Sequence, residues 1–457
     1  MQLPPLFKER MHALLGEEYA SFIAGYERPL RRGLRVNTTK ITTEAFCALF
    51  PYELEPSPFA ADSFYLDALH KAGSDPLHHA GAYYMQEPSA ASAVTVLDVQ
   101  PGQSVLDLCA APGGKSTQIA AALRNTGLLW SNEYVSARAR ILQQNMERWG
   151  IRNHVISNRD TADICNALTD RFDRVLVDAP CSGEGMFRKE PQAVAEWSIE
   201  NIRLCAARQD EILNNAAKAV KPGGRLVYST CTFAPEENEG TVIRFLQRHP
   251  EFSLLPINVS WGLAGFSVDR IRPFCHESDD SFDTTLCRRI FPQHGGEGHF
   301  IAAFQRADDA IGLPPSRYPF PLSDPNAKAA EELYRDCFLT APEGRFVTFG
   351  DQVRLLPQDT PDCRGLGIAG VAVATICKNR LEPCHSIFVA SAAADCRRRV
   401  EFFPDDPRLI AYLHGEEIPY DGEKGWTAVC VAGVTVGFGK SAGGRLKNRY
   451  PKGLRLL

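Results

Sequence analysis

The segment from Val105 to Ala120 constrains the fold of this chain more than any other stretch. Its sequence, VLDLCAAPGGKSTQIA, opens with a short apolar run that is typical of a strand buried on both faces of a parallel sheet. Pro112, Gly113 and Gly114 break the run, and residues from Ser116 to Leu123 then have helical spacing. A glycine turn here lets a ligand approach backbone amides at a helix N-terminus, although such a turn can also be a plain chain reversal.

The spacing of this turn limits the class of ligand. The loop does not match G-x-x-x-x-G-K-[ST], the motif that predicts a bound nucleoside triphosphate. It also does not match G-x-G-x-x-G, the motif that predicts a bound dinucleotide. Glu133 follows Gly114 by 19 residues, close to the spacing at which a carboxylate meets a ribose hydroxyl. The sequence therefore favours a ligand that contains ribose but is neither a nucleoside triphosphate nor a dinucleotide.

From Gln103 to Arg306, strand-like and helix-like patterns alternate. Strand-like segments are Gly127–Glu133, His154–Ser157, Phe172–Asp178 and Arg225–Thr230, and helical patterns cover Ala137–Trp149, Gln192–Val220 and a segment that opens at Pro235. This alternation predicts an α/β fold with a doubly wound, largely parallel sheet. Ligands of such sheets bind outside the carboxyl ends of the strands. This rule predicts that one set of residues lies together at that edge of the sheet. The set is Cys109 to Lys115, Glu133, Asp160, Asp178 and Cys231.

The rest of the chain divides around this core. We predict a small N-terminal domain over residues 1–75, the α/β domain over 76–306, a linker over 307–330 and a C-terminal region over 331–457. Five prolines between Ile311 and Pro325 indicate the linker. Beyond it, short strands with glycine turns predict one or two small β-rich modules.

Charge and cysteine content limit the class of protein. A net charge of -5 gives no overall sign of nucleic-acid binding, but two local clusters are basic. Each is either a solvated face or a phosphate-binding surface. The first is Arg28, Arg31, Arg32 and Arg35, and the second is Lys440, Arg445, Lys447, Arg449, Lys452 and Arg455. Fourteen cysteines without a C-x-x-C pair support neither a zinc site nor a disulfide framework, so no metal is expected. Without a signal-like segment or a long apolar run, we expect a cytoplasmic protein that has no contact with a membrane.

Two cysteines follow predicted strands at matching positions. Cys181 lies in the segment Asp178–Gly183, and Cys231 lies in the segment Ser229–Thr232. Both strand ends can converge beside the ligand at the glycine turn, where a stabilised thiolate would be a nucleophile. The helix predicted to open at Pro235 would stabilise a Cys231 thiolate through its N-terminal dipole. The alternative is that both cysteines are buried structural residues.

Together these motifs resemble the Sun/Nop family of S-adenosylmethionine-dependent RNA cytosine-5 methyltransferases. The resembling segments, in family order, are Leu34–Thr38, Gln86–Ala90, Cys109–Lys115, Asp178–Gly183 and Ser229–Thr232. The resemblance implies a Rossmann-like methyltransferase core, an N-terminal RNA-binding domain, and a C-terminal RNA-binding region that is PUA-like towards its end. The tail, at Gly437–Lys440 and Leu446–Arg455, resembles the bacterial branch that modifies 16S ribosomal RNA.

The resemblance also implies a role for individual residues. Cys231 would add to carbon 6 of cytosine, and Cys181 would assist release of the methylated product. Asp178 would contact N3 or N4 of the ring, with Lys115 close to it. Cofactor contacts would come from the loop, from Glu133 on the ribose, from Asp160 near the adenine, and from Asp178. The loop residues are Cys109, Ala110, Ala111, Pro112, Gly113, Gly114 and Lys115.

We therefore expect a monomeric methyltransferase whose partner is RNA, either 16S ribosomal RNA or the small ribosomal subunit. Two alternatives remain at this point. One is the same reaction on transfer RNA, and the other is an RNA-binding ribosome-assembly factor that keeps the fold without turnover. The intact pair of Cys181 and Cys231 argues against the second alternative.

Overall fold

A computed structural model describes residues 3–66, 69–275, 279–308, 324–358, 360–378 and 380–456. Its N-terminal part combines helices with a four-stranded antiparallel sheet of order β2-β3-β1-β4. The elements are α1 (Pro5–Leu15), α2 (Tyr19–Glu27), β1 (Arg32–Val36), α3 (Thr43–Leu49), β2 (Glu55–Pro56), β3 (Ser63–Leu66), α4 (Pro76–His79), β4 (Tyr83–Met85) and α5 (Ser92–Leu97). The sequence patterns did not identify β2, β3 or β4. These strands have two to four residues each, too few for an alternating pattern.

The central part contains the predicted doubly wound sheet, which confirms the fold class. Its elements are β5 (Ser104–Asp107), α6 (Gly114–Leu123), β6 (Leu128–Asn132), α7 (Ser136–Trp149), β7 (His154–Ser157), α8 (Thr161–Ala167), β8 (Phe172–Asp178), α9 (Pro191–Glu196), α10 (Ile199–Ala219), β9 (Val220–Thr230), α11 (Glu239–Arg248), β10 (Phe252–Leu255), β11 (Leu263–Ala264), α12 (Val268–Ile271), β12 (Arg288–Ile290) and β13 (His299–Arg306). Five strands pair in parallel in the order β7-β6-β5-β8-β9, and antiparallel β13 follows β9. Apolar side chains such as Leu106, Val175 and Leu226 are fully buried between the sheet and its helices.

Two helix predictions in this part are wrong in their bounds. The pattern from Gln192 to Val220 forms two helices, and the Ser198 hydroxyl caps α10 by accepting the N–H of Asn201 at 3.0 Å. The helix predicted to open at Pro235 begins only at Glu239, after a turn. Its N-terminus therefore lies eight residues beyond Cys231, and the predicted dipole contribution to that thiolate is not supported.

The C-terminal part is β-rich, as the glycine turns indicated. Its elements are α13 (Ala327–Cys337), β14 (Arg345–Phe349), β15 (Gln352–Leu356), β16 (Gly367–Ala369), β17 (Val371–Cys377), β18 (Arg380–Pro383), α14 (His385–Val389), β19 (Arg399–Phe402), α15 (Pro407–His414), β20 (Ile418–Pro419), β21 (Gly425–Val431), β22 (Val434–Ala442) and β23 (Arg445–Asn448). They form two sheets, β14-β15-β17-β18 and β19-β21-β22-β23-β20. Most of the predicted linker lies outside the described residues, and α13 begins within its last residues.

One strand of the C-terminal region leaves these sheets and joins the central one. β16 pairs antiparallel with β7, so it extends the sheet beyond its parallel strands. The buried Arg354 guanidinium holds β16 by donating to the carbonyls of Ala369 at 2.8 Å and Gly370 at 2.6 Å. The N-terminal and C-terminal parts also share an apolar cluster that includes Leu34 and Tyr412. Among the helices in the described part of the chain, none has both the length and the apolarity that a membrane crossing requires.

A buried ion pair links α11 to β12 and generates a prediction on stability. Arg289 Nε donates to Glu239 Oε1 at 2.7 Å, and both side chains are almost completely buried. Removing one partner leaves a buried charge without compensation, so Arg289→Ala should lower the free energy of unfolding by about 3–5 kcal/mol. The control is Arg272→Ala, which breaks an exposed pair with Asp280 and should cost less than about 1 kcal/mol. Denaturant unfolding measures both variants, and equal losses would contradict the prediction.

Candidate active site

A large cavity lies where the winding direction of the central sheet changes. The chain runs outward from β5 to β6 and β7, and then returns to β8 on the other side of β5. Outside the carboxyl ends of these strands is a cavity of about 800 Å³, the position at which doubly wound sheets bind ligands. Seven predicted site residues line it: Cys109, Ala111, Glu133, Asp160, Asp178, Cys181 and Cys231.

A second cavity, of about 240 Å³, lies on the other side of the glycine loop. It is lined by Ala110, Pro112, Gly114 and Lys115 among the predicted residues, and by Tyr84 to Glu87 from the N-terminal part. Cys109, Ala111 and Asp178 line both cavities, so the two spaces meet at the loop. Gly113 lines neither of them. Its φ of 113° lies in the left-handed region that glycine adopts without strain, and this turn directs the chain into α6.

The Arg35 side chain holds the glycine loop by hydrogen bonds. Its guanidinium is completely buried and donates to the Gly114 carbonyl at 2.9 Å and the Thr117 hydroxyl at 2.6 Å. The same side chain donates to Gln86 Oε1 at 3.0 Å. Arg35 was predicted to belong to an exposed basic cluster, and that interpretation is wrong. The residue fixes the loop by internal hydrogen bonds and is not accessible to a phosphate.

Two of the three predicted cofactor carboxylates, Glu133 and Asp160, follow β6 and β7 and line the large cavity. Glu133 is almost buried, and its Oε1 accepts the N–H of Val135 at 2.9 Å. Arg138 lies 3.5 Å from the other Glu133 oxygen. Asp160 accepts the N–H of Ala162 at 2.8 Å and so caps α8. The helix-capping role of Asp160 and its position on the cavity wall are therefore compatible.

An ion pair lies between the two cavities. Lys115 Nζ donates to Asp178 Oδ2 at 2.7 Å, and the Ser229 hydroxyl donates to Asp178 Oδ1 at 2.7 Å. Burial opposes ionisation of Asp178, but Lys115 outweighs it, and the pKa of the carboxyl is lowered. Burial likewise opposes the charge on Lys115, but Asp178 raises the pKa of that amine. Both groups are thus charged near neutral pH.

The two strand-end cysteines meet at this site, as their spacing predicted. The Sγ atoms of Cys181 and Cys231 are 3.3 Å apart, a contact between free thiols and well beyond disulfide bond length. The Gly185 N–H donates to the Cys231 carbonyl at 2.8 Å and joins the two loops. The hydrogen bond with Cys231, together with burial, holds the pKa of Cys181 well above its ordinary value. Cys181 is therefore protonated near neutral pH and able to donate towards Cys231.

Several polar residues around these cysteines were not predicted from the sequence. Glu184 accepts the Phe233 N–H at 2.9 Å, and Glu237 is completely buried against the Cys181 loop. His299 contacts the Ser89 hydroxyl at 3.0 Å through Nδ1, and burial, with Lys115 nearby, lowers the pKa of His299 to about 4. The signal for Glu237 was present in the Pro-Glu-Glu-Asn-Glu run, whose charges indicated the N-terminus of a helix.

The basic tail is largely on the surface. Lys440 of β22 and Lys447 of β23 are exposed and lie opposite each other in the register of the sheet. The Lys440 ammonium is 4.8 Å from the centre of the Trp426 ring. Arg449 is 3.5 Å from Glu382 and is partly neutralised by it.

Comparisons with known proteins cover nearly all of the chain. The family model for 16S rRNA methyltransferase RsmB/F matches residues 94–305, that for the N-terminal domain of 16S rRNA methyltransferase RsmF matches residues 3–88, and that for the methyltransferase RsmF PUA domain matches residues 399–456. The chain is 32% identical to ribosomal RNA small subunit methyltransferase F of Vibrio cholerae serotype O1 (strain M66-2), over 99% of this chain and 98% of that protein. It is 33% identical to the protein of the same name from Cronobacter sakazakii (strain ATCC BAA-894), over 99% and 96%.

Solved structures agree with this similarity. The crystal structure of PH0851 has 29% identity and a TM-score of 0.60, and the match covers 66% of each chain. A methyltransferase homologue from Pyrococcus horikoshii has 30% identity and a TM-score of 0.58, over 66% of this chain and 94% of that one.

Proposed function

Because this chain belongs to the RsmB/F family of 16S rRNA methyltransferases, which use S-adenosylmethionine, we propose that it methylates carbon 5 of a cytosine in 16S ribosomal RNA. The observation that carries the proposal is the 3.3 Å contact between Cys181 and Cys231 beside the Asp178–Lys115 ion pair. Methylation of carbon 5 of cytosine needs one thiol that bonds to the ring and a second group that helps this thiol to leave the ring. Two thiols in contact within a ligand cavity meet that need.

The large cavity suits the cofactor by its shape and its lining. Glu133 is positioned for the ribose hydroxyls, and Asp160 for the adenine end. The glycine loop from Cys109 to Gly114 presents backbone at the N-terminus of α6, where the methionine carboxylate would be held. When bound, S-adenosylmethionine supplies the methyl group as an electrophile.

Cys231 is the proposed nucleophile. Carbon 5 of cytosine is too weak a nucleophile to take a methyl group directly. Once the Cys231 thiol has given up its proton to solvent, its thiolate bonds to carbon 6, and the electrons of the double bond between carbons 5 and 6 move to carbon 5, which then bonds to the methyl group. Asp178 would bind N3 or N4 during this step, and Lys115 holds that carboxylate in place at 2.7 Å.

Cys181 is the proposed assistant in product release. After methylation, solvent takes the proton from carbon 5, the electron pair of that C–H bond restores the double bond between carbons 5 and 6, and the bond between Cys231 Sγ and carbon 6 breaks. Cys181 lies against Cys231 and carries a proton near neutral pH, so it can protonate the departing Cys231 sulfur. The target base must leave its helix, or lie in a loop, to enter this site.

RNA affinity is proposed to come from residues 1–75 and 331–457, and the protein is proposed to act as a monomer. Like charges that face each other across two strands destabilise a sheet, so the opposed pair of Lys440 and Lys447 calls for an explanation. Phosphates bound beside both ammonium groups provide one. Bisulfite sequencing of ribosomal and transfer RNA, with and without the gene, tests the target. The proposal requires loss of methylation in 16S ribosomal RNA, and loss in transfer RNA alone would refute it.

The cofactor assignment predicts the effect of removing Glu133. Glu133→Ala should weaken binding of S-adenosylmethionine about tenfold or more, because a charge-assisted hydrogen bond to the ribose is lost. Calorimetry measures the affinity, and the melting temperature checks that the fold is intact. The control is Glu147→Ala on α7, which lies outside both cavity linings and should leave the affinity unchanged. Unchanged affinity in Glu133→Ala would remove that residue from the site.

The tail assignment predicts a change in salt dependence. Reversing the charge of both Lys440 and Lys447 to Glu should weaken RNA binding and lower the salt slope by about two units, one for each lost phosphate contact. Two glutamates repel each other as two lysines do, so the cross-strand repulsion is retained. The control makes the same charge change at two other exposed positions, Arg140 and Lys328. If both double variants give the same slope, this surface does not contact phosphates.

The cysteine assignments predict opposite phenotypes. Cys231→Ala should abolish methyl transfer, because carbon 5 is then never activated. Cys181→Ala should still transfer the methyl group, but release of the methylated RNA should slow. A covalent adduct of protein and RNA should then accumulate, and denaturing electrophoresis detects it. The double variant should give no adduct, since the bond runs through Cys231. Normal product release by Cys181→Ala, or an adduct in Cys231→Ala, would show that the roles are assigned wrongly.

A further inference from the structure

We propose that Glu237 is a positioning residue that holds Cys181 against Cys231, so that it controls release of the product and leaves methyl transfer unaffected. This inference deepens the proposed function and rests on it for the release step. It comes from the turn at residues 235–238, in which the buried residues Glu237 and Asn238 contact different cysteine loops.

Glu237 and Gln209 hold the backbone on both sides of Cys181. The Ser182 N–H donates to Glu237 Oε2 at 3.0 Å, and the Ser182 hydroxyl donates to Glu237 Oε1. Gln209 Nε2 donates both to Glu237 Oε2 at 2.8 Å and to the Pro180 carbonyl at 3.0 Å. The residues before and after Cys181 are therefore fixed to one pair of side chains, and the thiol lies between those two anchors.

Asn238, the next residue in the chain, anchors the residues before and after Cys231. Asn238 Oδ1 accepts the Thr230 hydroxyl at 2.7 Å, and Asn238 Nδ2 donates to the Thr232 carbonyl at 3.0 Å. Consecutive residues of one turn thus anchor different cysteines, Glu237 the assisting one and Asn238 the nucleophile. The two anchors are different side chains, so Asn238 still holds the Cys231 loop when the Glu237 side chain is removed.

The burial of Glu237 supports a positioning role. Its side chain is completely buried, and burial raises the pKa of Glu237 to about 8. A buried carboxyl group is unfavourable unless its oxygens accept hydrogen bonds, and here every described partner belongs to the Cys181 loop or to α10. By contrast, the neighbouring Glu236 turns away from the cysteines and pairs with Arg10 at 2.7 Å.

The test compares single-turnover methyl transfer with multiple turnover. In Glu237→Ala the Cys181 loop loses its anchor, so turnover should fall about tenfold or more, while the single-turnover rate stays within about threefold of the parent. The covalent RNA adduct should accumulate as in Cys181→Ala. Adding Glu237→Ala to Cys181→Ala should change neither rate further, because the two substitutions remove the same function.

Two control variants separate positioning from general damage. Glu236→Gln changes the same chemical group one residue away and should leave both rates and the adduct level unchanged. Asn238→Ala should show the opposite phenotype, with slow single-turnover transfer and little adduct. If Glu237→Ala does not fold, as judged by its melting curve, Glu237→Gln keeps one acceptor oxygen and the side-chain volume. It should then show the same pattern with a smaller loss of turnover.

The outcome that overturns the inference is a Glu237 variant in which single-turnover transfer and adduct formation fall together with turnover. Failure of the proposed function would look different, because Cys181→Ala itself would then give no adduct. In that case, alkylation of Cys181 in a Cys231→Ser protein, followed by mass spectrometry of its peptide, still measures the position of the thiol. Glu237→Ala should change that alkylation rate about threefold or more, and an unchanged rate would refute the positioning role.

Discussion

The active site depends on the parallel pairing of β8 with β9. In that register Asp178 lies opposite Ser229, and the Ser229 hydroxyl binds the Asp178 carboxylate at 2.7 Å. Cys181 and Cys231 follow these residues by a similar number of positions, so the two thiols come within 3.3 Å of each other. A shift of one residue along either strand would displace a thiol by about 3.3 Å, as far as the contact itself, and would reverse which side chains face the core. The buried apolar side chains of both strands therefore fix the geometry of the two thiols.

Charge is divided between the interior of the site and the surface of the tail. Glu133, Asp160 and Asp178 make the large cavity acidic, a suitable environment for a cofactor with a positive sulfonium group. Lys115 neutralises Asp178, one of these three acidic residues. The cations proposed to bind phosphate lie elsewhere, on β22 and β23. A net charge of -5 gives no sign of an RNA partner because the acidic residues of the cavity and the basic residues of the tail cancel in the sum.

The sequence was most informative where a local pattern and the fold agree. The glycine loop, Glu133, Asp160, Asp178 and both cysteines follow strands of the parallel sheet, and the rule for carboxyl ends correctly predicts that they lie together. The sequence was least informative where tertiary contacts decide whether a charged side chain is buried. The burial of Arg35 comes from Gln86 and Thr117, which are distant in sequence, so its charge suggested a surface role. The acidic run at 236–239 indicated a helix N-terminus but not its burial, and Glu237 and Glu239 are completely buried. A single sequence shows which residues are charged, but the partners that neutralise them come from folding.

The position of β16 has consequences for how the two ends of the molecule act together. This strand belongs by sequence to the C-terminal region, but it forms hydrogen bonds with β7, and the Gly370 N–H donates to the His154 carbonyl at 2.8 Å. Just beyond β7, Arg159 donates to the Gly365 carbonyl, and the next residue is Asp160 on the cavity wall. The C-terminal region is therefore held to the central sheet by backbone hydrogen bonds at the edge that leads to the large cavity, independently of the proline-rich segment. If RNA binds this region as proposed, it would meet the cysteines at an orientation fixed by a sheet, because paired strands slide past each other only by breaking every hydrogen bond between them.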